Sequence, residues 1–237
     1  MADDRSRTAG ASSDPVRPDP ASERFRFPRW SNLLGPATAV VAAGGLLYLV
    51  VLVTLVFHPR NSAIGYAPAQ PVPFSHALHA GELGLDCRYC HTTVERAAQA
   101  SVPTAETCMN CHATIFTESA KLLLVREAHA TGKAIPWIRV HDVPDYAYFD
   151  HSAHIRAGVG CVSCHGRIDR MTVVSQQMPL TMSWCLDCHR RPEPHLRPPD
   201  QVTRMDWTPD EDPSVLGRRL REVHGINPST DCTTCHR

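Results

Sequence analysis

The chain has 237 residues, and its 24 Lys and Arg balance its 24 Asp and Glu, giving no formal net charge at pH 7. That balance excludes a strongly basic nucleic-acid surface. The unusual features are 10 cysteines, 14 histidines and 20 prolines.

In chain order, residues 1–32 hold Asp3, Asp4, Ser12, Ser13 and several prolines and read as a disordered tail. Residues 33–57 (LLGPATAVVAAGGLLYLVVLVTLVF) contain no charge. As a helix they would reach about 37 Å, more than the roughly 30 Å of a bilayer core, so a single transmembrane helix is predicted. A signal-peptide apolar region would be about 7–15 residues long and nearer the start, which disfavours a cleaved leader, and a buried core helix is the other alternative. Arg5, Arg7, Arg17, Arg24, Arg26 and Arg29 precede the span and Arg60 follows it. The positive-inside rule then puts the tail in the cytoplasm and residues 58–237 on the periplasmic or outer side of the inner (cytoplasmic) membrane.

The remainder writes C-x-x-C-H at Cys87/Cys90/His91, Cys108/Cys111/His112, Cys161/Cys164/His165, Cys185/Cys188/His189 and Cys232/Cys235/His236, using every cysteine. Two thiols at this spacing can form thioethers to the two vinyl groups of one haem, and the next histidine is then held against its iron. Five covalently bound haem c groups are predicted. Zinc knuckles pair into tetrahedra, and five cannot pair off; a disulfide framework of adjacent C-x-x-C loops would be a poor staple. Roughly 35 residues per haem leave little chain for a separate core. The fold class predicted is therefore mostly α with much irregular structure, the haems forming the core of a multihaem cytochrome c domain. Their propionates would take the net charge to about −10 before any is neutralised.

A duplication underlies the motifs: Phe74-Ser-His76-Ala-Leu-His79 precedes Cys87, and Phe149-Asp-His151-Ser-Ala-His154 precedes Cys161. Two dihaem repeats are predicted at about 70–115 and 145–198, with a fifth haem at 213–237. Between the repeats, Thr117 to Thr131 suits an amphipathic helix stopped by Gly132, and a second short helix is predicted near Val215–His224 after a Pro-rich connector. His76, His79, His151 and His154 are the predicted distal ligands, since neighbouring histidines on one turn can point to two haems. For the fifth distal position His141, in an extended stretch rich in Pro, Trp and β-branched residues, competes with Met182, Met178 and His195. A methionine ligand would raise that haem's potential. His129 is predicted on an exposed helix face, His58 at the membrane interface, and His224 at a helix C-terminus.

The F-x-H-x-x-H followed by C-x-x-C-H resembles class III multihaem cytochromes c, in which the first histidine serves the haem just downstream and the second another haem. The single span, the two repeats, IPWIRVHDVPDYAYFDHSAH, MPLTMSWCLDCHRRPEPHLRP and the terminal motif together resemble the pentahaem subunit of bacterial alternative complex III. That resemblance implies an electron-transfer subunit that is not catalytic alone. It would be partnered by an iron–sulfur subunit, polytopic quinol-binding subunits and a monohaem cytochrome, and would deliver electrons towards a periplasmic acceptor or a terminal oxidase. It also implies mostly bis-histidine haems with one histidine–methionine haem, which favours Met182. The competing functions are a stand-alone quinol dehydrogenase of the tetrahaem type, whose first haems crowd the membrane, and a multihaem reductase with one open iron, which often carries an altered proximal motif.

Overall fold

The computed structural model describes residues 27–57 and 63–236. Most of the predicted tail, and His58, lie outside the described residues. The chain divides into two compact units, one ending at Val56 and one beginning at Phe57.

In the first unit a 3-10 turn, Arg29–Leu33, leads into helix α1, Leu34–Val56. Pro36 stands in its first turn, where its missing N–H would have had no intrahelical partner. Helix α1 with its leading turn is long and apolar enough to cross a membrane, and none of its residues is buried.

The second unit is mostly short helices joined by irregular chain, with only isolated bridges, Ala147 to His236 and Val159 to Leu196, among the described residues. Its helices are α2 (Cys87–Cys90), α3 (Ala105–His112), α4 (Leu123–Thr131), α5 (His151–Arg156), α6 (Val162–His165), α7 (Met182–Arg190), α8 (Pro213–His224) and α9 (Cys232–Cys235). Of the two predicted connecting helices, the first forms as a 3-10 turn, Ala120–Leu122, followed by α4, so its opening Thr117-Glu118-Ser119 stays outside. Gly132 stops it at φ 68°, a left-handed conformation that costs glycine little. The second is α8, two residues longer than predicted because Asp212 caps it and Pro213 fits its first turn.

The two F-x-H-x-x-H copies differ locally. In the second, the Asp150 carboxylate accepts from Ala153 N (3.3 Å) and an α-helical turn follows. In the first, the Ser75 hydroxyl accepts from Leu78 N (3.2 Å) in the same way, yet the chain widens into a π-helical turn, Ala77–Glu82, pressed by Gly81 against the Asp169 carbonyl.

Among the described residues the buried apolar side chains are few: Val72, Val94, Val125, Ala128, Val140, Leu196, Val202 and Leu216. Much of the remaining order comes from backbone held against backbone. Arg197 N donates to Gly158 O at 2.9 Å and Cys161 N to Val202 O at 3.0 Å, folding the Pro-rich connector back over the second repeat. Gln70 bonds Ile138 in both directions (2.9 and 3.0 Å), tying the entry of the haem-motif unit to the extended stretch before His141. Helix α8 crosses the 3-10 turn Glu193–His195 through Gly217, where an added Cβ would collide with the Glu193 carbonyl. The Arg221–Glu193 ion pair at 2.6 Å closes the same contact.

Gly217→Ala is expected to destabilise the holoprotein by about 1–3 kcal/mol, the usual cost of overpacking, read as a lower thermal midpoint. A second prediction concerns Asp86, which caps α2 through Arg88 N (2.8 Å) and receives Thr203 Oγ1 (2.8 Å). Its hydrogen bonds from Arg88, first among the causes, hold its carboxyl down at about 2. The folded value lies below the unfolded one, so the stabilisation is present above the ordinary carboxylate range and is lost as pH falls through about 4 towards 2. The pair is partly exposed and screened, so its worth is about 1 kcal/mol or less. The difference in melting temperature between the parent and Asp86→Asn should shrink as the solution is acidified through that window.

Candidate functional site: the five cysteine–histidine motifs

Each C-x-x-C pair lies on, or at the entry of, a helical turn: on α2, α3, α7 and α9, and at the start of α6. Residues three apart on such a turn share a face, so both sulfurs of a motif point the same way. Asp86, Thr181 and Asp231 stand at the N-caps of α2, α7 and α9, with Thr104 before α3. The histidine amide then closes back on the first cysteine: His91 N to Cys87 O at 2.9 Å, His165 N to Cys161 O at 3.0 Å and His236 N to Cys232 O at 2.8 Å. None of the ten cysteines is joined in a disulfide.

The imidazoles are oriented by the main chain. Nδ1–H of His91 donates to Ser101 O (2.8 Å), that of His112 to Ile115 O (3.2 Å), that of His189 to Ser229 O (2.6 Å) and that of His236 to Tyr146 O (3.1 Å). Among the predicted distal residues, His79 donates to Ser75 O (2.9 Å), His151 to Ala98 O (2.8 Å) and His154 to Asp150 O (2.7 Å). Such bonds fix the tautomer and leave Nε2 with its lone pair free, the arrangement seen in metal-ligating histidines. The motif phenylalanine acts identically in both repeats. Phe74 lies against His79 at 4.3 Å and meets His76 edge-on at 4.9 Å; Phe149 lies against His154 at 4.4 Å and meets His151 edge-on at 4.7 Å.

Three ring pairs result. His79 and His112 have centroids 6.3 Å apart, His151 and His165 6.4 Å, and His154 and His189 6.1 Å. With metal–imidazole bonds of about 2 Å, two axial rings on one iron stand about 6 Å apart, so these pairs fit the group that the motifs call for. His76 lies near His91, and burial first, then His91, His79 and His141, push it down to about 4. Burial, then His141 and His151, pushes His165 down to about 3. Both are therefore neutral around pH 7, the form that ligates iron.

The other predicted residues fall elsewhere. His141 sits edge-on to His165, with centroids at 4.5 Å, too close for an iron between them. Met182 opens α7 and is 66% exposed. The Met178 carbonyl accepts from Gln176 (2.9 Å), and His195 ends the 3-10 turn beneath α8. His129 is exposed, 3.9 Å from the Glu106 carboxylate, and His224 closes α8. The carbonyls of Ser75, Ala98, Ser101, Ile115, Ser229 and Tyr146 carry no sequence signal, since every residue offers one.

The motifs are also arrayed in space. Asn110 Nδ2 donates to Tyr89 OH (3.2 Å), linking the second motif to the first, and Cys90 lies near Cys111. The first and third meet where the Cys87 and Cys161 thiols neighbour one another and where Val202 and Thr203 accept from Cys161 N (3.0 Å) and Cys87 Sγ (3.9 Å). Cys164 lies near Cys188 and Cys185, and Cys185 near Cys235. The resulting series runs second, first, third, fourth, fifth.

This geometry is that of a multihaem cytochrome c, and the comparisons agree. Residues 55–141 match the class III cytochrome C family, and residues 147–237 match cytochrome c7 and related cytochrome c. These families bind haem c covalently, and the chain is a multihaem cytochrome c of electron transfer. Over 97 residues it is 32% identical to the menaquinone reductase, multiheme cytochrome c subunit, of Nitratidesulfovibrio vulgaris, covering 40% of this chain and 45% of that protein. The chain thus spans less than half the length of that relative.

His79→Ala and His154→Ala should each turn one haem from low-spin to high-spin while leaving it attached. Electron paramagnetic resonance of the holoprotein checks this, and unchanged low-spin signals in both would refute the pairing.

Proposed function

We propose that the protein is a membrane-anchored pentahaem cytochrome that carries electrons from a quinol-oxidising membrane complex of the alternative complex III kind towards periplasmic acceptors or a terminal oxidase. The observation that carries this reading is the set of tethered histidine pairs. In both repeats the second histidine of F-x-H-x-x-H faces the histidine of the second motif of its repeat, 6.1–6.3 Å away, and in the second repeat the first histidine faces the motif just downstream. Histidines paired in this way would hold an iron from both faces, so that it could exchange electrons but would leave no position for a substrate. Bound haem supplies one-electron iron chemistry; the chain supplies the thiols, the neutral imidazoles and the carbonyls that aim them.

Cys87, Cys90, Cys108, Cys111, Cys161, Cys164, Cys185, Cys188, Cys232 and Cys235 are the attachment residues. His91, His112, His165, His189 and His236 are the proximal ligands, with His76, His79, His151 and His154 opposite the first four. Met182 is proposed for the fifth. It lies three residues before Cys185 on one face of α7, and Cys185 neighbours Cys235 of the last motif. The second and fifth motifs end the series and are the natural points of entry and exit. Helix α1 is proposed as the anchor, with the basic residues before it on the cytoplasmic side and the motifs on the periplasmic side. The partnership with quinone-oxidoreductase subunits is supported by the menaquinone reductase relative.

Mass spectrometry of the native chain should show five attached haems, and purification in mild detergent should bring down larger subunits. Met182→Leu should abolish the low-spin signal of the highest-potential haem and spare the other four; a chain purified alone that oxidises quinol would overturn the subunit assignment.

A further inference from the structure

Four of the five motif histidines place Nδ1 on a backbone carbonyl: His91, His112, His189 and His236. His165 is the exception, with its Nδ1 buried and lacking any hydrogen-bond partner. The ring in edge contact with it is that of His141, whose centroid is 4.5 Å away at an interplanar angle of 76°, and whose Nε2 is also buried without a partner. The two nitrogens do not bond each other as the rings stand, but the rings touch, and a turn of either would set one as donor to the other as acceptor; the buried Nδ1 of His76 is likewise without a partner. His165 also faces His151, whose ring lies 6.4 Å away at an interplanar angle of 12°.

We propose that His141 is a positioning residue for His165: a small turn of the touching rings lets its Nε2 accept the Nδ1–H of His165, doing in the third motif what carbonyls do in the other four. The assignment rests on the reading of the third motif as a haem site. Here the acceptor is a side chain delivered from between the two repeats, in the stretch that Gln70 pins at Ile138. An acceptor on Nδ1 raises the basicity of the ligating nitrogen, which favours oxidised iron and lowers the potential of that haem. Because the acceptor is a side chain, it can be removed without disturbing the backbone, which is not possible in the other four motifs.

The test uses the full-length holoprotein carrying His141→Ala or His141→Gln, read by electron paramagnetic resonance and a redox titration. Expected in His141→Ala are undiminished haem attachment, every haem still low-spin, and an upward shift of one potential. The shifted haem should be the one that becomes high-spin in His151→Ala, and His141→Gln, whose amide oxygen can accept, should return it towards the parent value. A new high-spin haem in His141→Ala would overturn the proposal by making His141 an axial ligand, and unchanged potentials would overturn it by making His141 packing alone. A Cys161–Cys164 peptide bearing no haem by mass spectrometry would instead overturn the reading of the third motif beneath it.

Discussion

The haem-motif unit depends on the bond from an imidazole Nδ1–H to a main-chain carbonyl. Seven histidines make it, at 2.6–3.2 Å, and each loses its rotational freedom to a segment of backbone. Some of those carbonyls are local, such as Ser75 for His79 and Asp150 for His154. Others are remote: Ala98, in the first repeat, orients His151 of the second, and Tyr146 orients His236. The same bond therefore aims an imidazole and ties distant chain together, which matters where the buried apolar side chains among the described residues are small and few.

The repeats illustrate how one sequence pattern tolerates two backbones. Asp150 caps an α-helical turn in the second F-x-H-x-x-H, whereas the first, capped by Ser75 at the same position, widens into a π turn. The ring geometry nevertheless coincides, because Phe74 and Phe149 each lie flat against one histidine and edge-on to the other. Aromatic packing, worth about 0.5–1.5 kcal/mol per pair, sets the direction of the ligands more closely than the class of the helix does. Glycine does the complementary work between segments: Gly81, Gly158 and Gly217 let carbonyls approach where any Cβ would collide.

The cytochrome class and the candidate anchor helix were legible in the residues, because C-x-x-C-H and an uncharged apolar run each state a local requirement that needs no folded context. The stop at Gly132 and the cap at Asp212 were legible for the same reason. The onset of the helix ending at Thr131 was not, since Thr117-Glu118-Ser119 can enter a helix or a turn and the choice lies in how Arg126 reaches back to the Ser119 carbonyl (3.0 Å).

What the sequence by itself determined is the residue type and spacing at each motif and the repeat that places histidines before it, since these are local properties. Which imidazole faces which, the order of the motifs in space and the meeting of His141 with His165 were decided only by the tertiary structure. Those contacts join residues far apart in the chain, and they are made through backbone carbonyls and glycine approaches that look alike at every position of a sequence.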